Sequence, residues 1–266
     1  MKWYFAVTEA TLGHYDHDFI GLMKAAVASA RANTDLQPNL IYDGSENALT
    51  HDLRALGVTI HHHQLSMGPY IRQHAPAGYA VDVACGAYLR TDIPEINQED
   101  EFVLYTDCDV LFLRQPTFLT MRPKYFACAP EFFIDDYSNI NTGVMLMNLP
   151  NLRAEIPNFR HFIQQRFPDL VAFDQGAYQN YFLGQESRLS ETTNWKPYWG
   201  LNDAAEIIHF HGPKPLAVRK GLQDPDYVMP TVWRDLLVRG QDAYPVYLAL
   251  WDRYRAEAEA SQASTL

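Results

Sequence analysis

The sequence predicts an α/β protein with a single Rossmann-like, mostly parallel sheet flanked by helices and a helical carboxyl-terminal segment. Three observations lead there. The first sixty residues alternate extended and amphipathic stretches in β-α-β-α-β order, the pattern of strands joined by crossover helices. The stretch 102–106 is apolar enough to be covered on both faces, as strands inside parallel sheets are. The chain has 266 residues, 47% of them hydrophobic, which suffices for one large continuous domain with a full core.

Residues 3–8 form the first expected strand. Residues 18–32 follow as a helix, with Phe19, Ile20, Met23, Val27 and Ala30 near helical spacing. A second strand at 39–42, a helix at 47–56 closed by Gly57, and an extended stretch at 58–61 complete the alternation. Residues 64–79 carry Gly68, Pro69, Pro76 and Gly78 and read as a loop or lid. A helix is expected at 80–90, then strands at 102–107, 125–129 and 142–149, with an Asp- and Asn-rich loop before the last. Helices at 152–167 and 174–182, a short strand at 207–211 and a mostly helical end at 231–260 follow. Within that end, residues 244–254 read as core packing, with contact to a membrane surface or lipid acceptor as the other reading. The polar tail from about residue 261 is expected to fray.

Composition narrows the function. A net charge of -11 argues against a general nucleic-acid binder, because no basic face would neutralise a phosphate backbone. Cys85, Cys108 and Cys128 are too few and too scattered for a disulfide framework or a paired zinc spacing. The amino-terminal apolar run breaks at Glu9, too early for a signal h-region, and no span reaches membrane length. These features predict a cytoplasmic protein, peripheral to a membrane at most.

Two motifs carry chemistry. Asp107-Cys108-Asp109 closes the apolar strand, so two carboxylates reach the carboxyl edge of the sheet, where open α/β folds hold ligands. Paired carboxylates are hard donors suited to Mg²⁺ or Mn²⁺, whose shell phosphate oxygens complete. About a hundred residues later, His209-Phe-His211-Gly212-Pro-Lys214-Pro215 joins a metal-capable imidazole, a glycine permitting close approach and a mobile cation. An extended backbone would turn His209 and His211 to one face. By the same alternation His61-His62-His63 spreads over two faces and reads as a solvated strand end.

Four segments in order resemble the family 8 glycosyltransferases. They are Ala87-Tyr88-Leu89-Arg90 with Ile93-Pro94-Glu95, Val103 through Asp109, Asn141-Thr142-Gly143 through Asn148 with Asp174-Gln175 following, and His209 through Pro215. The last lacks one residue between Gly212 and Lys214 relative to the family pattern. The resemblance covers about residues 1–216 and implies a GT-A catalytic domain there; residues 217–266 match nothing in it and are expected as a helical extension packed on that domain. It further implies metal-dependent, retaining transfer of a hexose from a nucleotide sugar, usually a UDP-sugar, to a glycan, lipid or other hydroxyl acceptor. Asp107, Asp109 and His209 would ligate Mn²⁺ or Mg²⁺, with His211 as the alternative imidazole. Cys108, Gly212, Lys214 and Arg90 would line the donor diphosphate. Asn141, Thr142, Asp174 and Gln175 would hold the sugar, the last two as catalytic candidates. An amide such as Gln175 is no strong nucleophile, which favours same-face attack over double displacement. Thr8, Glu9 and Tyr15 stand where the family binds the nucleobase, without its usual Asp and Asn-Tyr spacing.

Bland readings stand beside these. Asn141 and Asp174 also suit capping positions, and Arg90 suits a helix end. A haloacid-dehalogenase-type phosphohydrolase also ends a strand in Asp-x-Asp, but usually near its start and with Thr or Val where this chain has Leu111. A non-catalytic sugar-nucleotide or glycan-binding module would keep the pocket without turnover.

Overall fold

The computed structural model describes residues 1–13 and 18–263, and side chains as far as Ser261. The strands are β1 (Lys2–Thr8), β2 (Gln37–Asp43), β3 (Thr59–His62), β4 (Phe102–Thr106), β5 (Val110–Phe112), β6 (Phe126–Pro130), β7 (Ile140–Asn148), β8 (Ser187–Arg188) and β9 (Ile207–His209). Seven of them form one sheet in the order β3-β2-β1-β4-β7-β6-β8, and β5 pairs with β9 in a small second sheet. From β3 to β4 every pairing is parallel. β7 runs antiparallel to both β4 and β6, and β8 is parallel to β6. The amino-terminal half is therefore the expected crossover unit, and the antiparallel insertion lies in the second half.

That insertion positions the site. Because β7 runs against β4, its amino end lies at the carboxyl edge of β1 and β4. Every residue of β7 is buried, as a central strand covered on both faces must be.

The helix Phe19–Asn33 is buried on two sides. Met23, Ala26, Val27 and Ala30 pack in the cluster beneath the sheet, while Leu22 and Ala25 belong to the cluster formed with the carboxyl-terminal helices. Its alanines let both neighbours approach closely. The helix also fixes β5: Ser29 Oγ accepts from Phe112 N at 3.0 Å, and Asn33 Nδ2 donates to Phe112 O at 2.9 Å. Asn33 Nδ2 reaches Tyr254 Oη as well, at 2.7 Å. The final helix, Tyr244–Ala263, buries Tyr244, Tyr247, Leu248, Trp251 and Tyr254. Apolar surface removed from water is the main favourable term in folding, so core packing is the role of these buried residues of 244–254. No helix among the described residues is long and apolar enough to cross a membrane.

Several expectations needed correction. The predicted lid at 64–79 contains the helix Gly68–His74, anchored by buried Leu65, Met67 and Ile71. Pro69 sits in its first turn, where a missing N–H costs nothing, so the Gly and Pro residues start a helix instead of opening a loop. The strand expected at 207–211 stops at His209, and Gly212 turns the chain at φ +84°. Among the described residues the carboxyl-terminal segment holds three helices, Pro215–Gln223, Thr231–Arg239 and Tyr244–Ala263, the first of them outside the mostly helical span expected at 231–260. The last runs through the start of the tail expected to fray. His61, His62 and His63 are not simply solvated: they bond Asn39, Glu46 and Asp92 respectively.

Candidate active site

Two strand registers assemble the site. In the β4–β7 ladder Thr106 faces Val144, so the next step sets Asp107 beside Gly143, and Asp107 N donates to Gly143 O at 2.9 Å. In the β5–β9 pair Val110 faces His209, and Phe210 N donates to Asp109 O at 2.9 Å. The result is a cluster in which ligand atoms of Asp107, Asp109 and His209 all lie within 4.8 Å of one another. His209 Nε2 is 3.3 Å from Asp109 Oδ1 and 3.7 Å from Asp107 Oδ2. Two carboxylates and an imidazole form a donor set that suits a divalent cation.

Gly143 is required there. A Cβ on it would stand 2.2 Å from His209 Cε1 and 2.9 Å from Asp107 Oδ2. The absent side chain is the space the imidazole occupies.

His211 takes a different place. Its Nε2 pairs with Glu131 Oε1 at 3.2 Å, and its Nδ1 shares a hydrogen bond with Tyr198 Oη at 2.9 Å. Both ring nitrogens are thus engaged away from the carboxylate pair, and burial lowers its pKa to about 4. His209 is the imidazole that joins the cluster.

A cleft of about 310 Å³ opens against the carboxylates. Ala6, Val7, Phe19 and Trp233 line its apolar part, and Arg90, Tyr105, Asp107, Asp109 and Lys214 its polar end. Lys214 Nζ pairs with Asp109 Oδ2 and donates to Phe210 O at 3.2 Å. Burial would raise the Asp109 carboxyl, but Lys214 and His209 outweigh it and hold the group ionised well below the usual carboxylate range. Cys108 lines the cleft and points its thiol at Ala6 O, 3.5 Å away. Burial pushes that thiol far above its ordinary pKa, so it is an unreactive wall. Gly212 backs onto the helix Thr231–Arg239, where a Cβ would meet Leu236 at 2.7 Å.

Arg90 is no ordinary helix-end charge. Only 5% exposed, its guanidinium lies 4.4 Å from the Tyr105 ring centroid, donates to Asp107 Oδ1 at 2.9 Å and also to Thr142 O. Its Nε stands 2.8 Å from Asp174 Oδ2, although the Nε hydrogen goes to Ala87 O. Asp174 Oδ2 consequently receives no aligned hydrogen bond. Burial raises the Asp174 carboxyl to about 7, with Arg90 working against the rise. Gln175 Oε1 accepts from Asn141 Nδ2 at 3.1 Å and from Thr142 N at 3.2 Å.

The remaining candidates lie apart. Thr8 and Glu9 are at the same sheet edge, but the Thr8 hydroxyl caps the short helix Glu9–Leu12 and Glu9 accepts from Ser45 N at 3.2 Å. Tyr15 lies outside the described residues.

Sequence reasoning missed Asn194, Glu131 and Lys196. Asn194 is fully buried, and its Oδ1 is 2.9 Å from His209 Nδ1. Glu131 is held by His211 and by Gln175, which keep its carboxyl low despite burial. Lys196 is wholly buried, donates to Pro130 O at 2.6 Å and lies 4.4 Å from the Trp199 ring centroid. Burial drops its pKa far below the ordinary value. Glu131 and Lys196 sit in irregular segments and Asn194 ends a single 3-10 turn, Glu191–Asn194, so no spacing in the sequence marks them.

The chain superimposes on solved glycosyltransferases along most of its length. The galactosyltransferase LgtC, solved in complex with donor and acceptor sugar analogs, matches with a TM-score of 0.62 at 17% identity, over 89% of this chain and 100% of that one. The fold is GT-A. The glycosyltransferase GlyE of Streptococcus pneumoniae matches with a TM-score of 0.61 at 16% identity, over 95% of this chain and 64% of that one. Mouse xyloside xylosyltransferase 1 gives 0.56 at 16% identity, over 79% of this chain and 98% of that one. No family model and no curated protein matches the chain by sequence.

Proposed function

We propose that this chain is a family 8-type glycosyltransferase that moves a hexose, with retention, from a UDP-sugar to a hydroxyl of a glycan or lipid acceptor in the cytoplasm. The observation that carries the reading is the meeting of Asp107, Asp109 and His209 at the polar end of a cleft in a GT-A fold. Each brings one ligand atom within 4.8 Å of the others, and Gly143, having no side chain, leaves room for the His209 ring that completes the set. Mn²⁺ or Mg²⁺ held there would act as a Lewis acid on the departing diphosphate.

The chain's own groups set the rest. Lys214 places an ammonium at the same end of the cleft, where it offsets charge gathering on the leaving nucleotide. Arg90 holds Asp107 in place and brings a fixed positive charge beside Asp174. Asp174, poised near neutrality, is suited to bind a sugar hydroxyl as either donor or acceptor. Gln175 has its carbonyl oxygen occupied by Asn141 and Thr142, so that oxygen is not free to attack an anomeric carbon. This favours attack by the acceptor hydroxyl on the face the nucleotide leaves. Ala6, Val7 and Phe19 offer an apolar wall for a planar base.

The test is UDP release from a panel of UDP-hexoses, with and without Mn²⁺. UDP release that requires the metal supports the reading. Release of inorganic phosphate from simple esters would make the protein a phosphohydrolase, and nucleotide-sugar binding without turnover would make it a binding module.

A further inference from the structure

Four buried side chains behind the carboxylate cluster are tied into one hydrogen-bonded chain whose direction can be worked out. Two backbone N–H groups, which can only donate, set it. Gly143 N donates to Asn141 Oδ1 at 3.1 Å, and Thr142 N donates to Gln175 Oε1 at 3.2 Å. Asn141 must therefore present oxygen toward Gly143 and its amide nitrogen toward Gln175, 3.1 Å away, and both ends of the pair agree.

Asn194 meets the same Asn141 Oδ1 at 2.8 Å, so it must offer its Nδ2 there. Its own Oδ1 is then left to face His209 Nδ1 at 2.9 Å. An amide oxygen only accepts, so in the neutral ring Nδ1 must carry the hydrogen. The Nε2 lone pair is thereby aimed at the space between Asp107 and Asp109. Asn141, Asn194 and His209 are each at most 2% exposed, so water does not compete for these bonds.

We propose that Asn194 is a positioning residue that fixes the tautomer of His209, so that the backbone of β7 dictates which ring nitrogen is available to a cation. The proposal rests on the metal-site reading above. Its physical basis is that a ligating imidazole is set by the bond its other nitrogen makes. The polarity of this relay does not depend on any titratable group, because it begins at two peptide N–H groups. Trp195 N donates to Ile207 O at 2.9 Å and His209 N to Trp195 O at 2.8 Å, which holds the segment carrying Asn194 against the strand carrying His209.

The experiment reads ring nitrogens by long-range ¹H–¹⁵N NMR on the ¹⁵N-histidine-labelled full chain, where the two tautomers of a neutral imidazole give different cross-peak patterns. A parallel calorimetric titration uses Mn²⁺ in the presence of UDP. Wild-type His209 is expected as the Nδ1–H form. In Asn194→Leu the Nε2–H form should appear and Mn²⁺ affinity should fall about 10–100-fold. Asn194→Asp also loses the bond to Asn141 but keeps an acceptor for Nδ1–H, so it should retain that tautomer and bind Mn²⁺ about tenfold better than Asn194→Leu.

An Nε2–H ring in the wild type overturns the proposal without any variant. So does an Asn194→Asp protein that loses Mn²⁺ as fully as Asn194→Leu, since the residue would then serve packing alone. A wild type with the Nδ1–H ring that binds no Mn²⁺ overturns it through the metal reading, and the tautomer signal shows which part failed.

Discussion

Replacing Gly143 by alanine tests the geometry of the site with a single methyl group. That methyl would stand 2.2 Å from His209 Cε1, against the 3.4 Å at which ordinary contact begins, so a gap of about 1.2 Å must be made. β7 cannot retreat, because it is paired on both sides and buried throughout. The imidazole must move, and Asn141 Oδ1 and Asp107 Oδ2, each 2.9 Å from the new atom, restrict its escape. Ligand distances at a metal site tolerate only about 0.2 Å. Removing a mere outer-shell partner costs about 10–100-fold in affinity, so displacing the ligand itself should cost at least about 100-fold. Overpacking of this kind destabilises by about 1–3 kcal/mol, a drop in Tm of about 2–10 °C for a chain of this size. Calorimetry of UDP with Mn²⁺ measures the first effect and a thermal melt the second. A variant that keeps the metal-dependent affinity of the wild type would refute the placement of His209 against Gly143.

Other consequences can be checked directly. Asp109→Asn should abolish metal-dependent UDP binding and lower UDP release at least about 100-fold while leaving the far-ultraviolet circular dichroism unchanged; undiminished UDP release would remove Asp109 from the metal set. Asp174 is raised by burial to about 7 in the fold, whereas an unfolded aspartate titrates near 3.9. The fold thus binds this proton more tightly: its stabilising effect is full below about pH 4 and is lost as pH rises through about 7. Asp174→Asn stays neutral, so its Tm should gain on the wild type as pH rises from about 4 to about 7; parallel melting curves would contradict the burial argument. Treatment with EDTA should abolish UDP binding, with recovery on adding Mn²⁺, and affinity that survives chelation would deny the cation its role.

Much of the fold was legible because its causes are local. The alternation over the first sixty residues is the parallel half of the sheet, since each strand and crossover helix follows from its own periodicity. Asp107 and Asp109 could be placed at a sheet edge for the same reason: the apolar run before them can only be an interior strand. The helix hidden at Gly68–His74 was missed because Pro69 and Gly68 punctuate a loop and a helix start alike. Strand β5 escaped notice because three residues carry too little pattern to be seen alone.

Residue order by itself determined the parallel core, the carboxylate pair that closes β4 and the lysine that follows a Gly-Pro turn. It named His209 with His211 left open as the alternative, and gave no sign of Asn194. Only the tertiary structure decided between them, by pairing Val110 with His209 and leaving His211 to Glu131 and Tyr198. The reason is that strand register links segments about a hundred residues apart, and only a shift of two residues would set His211 where His209 stands opposite Val110.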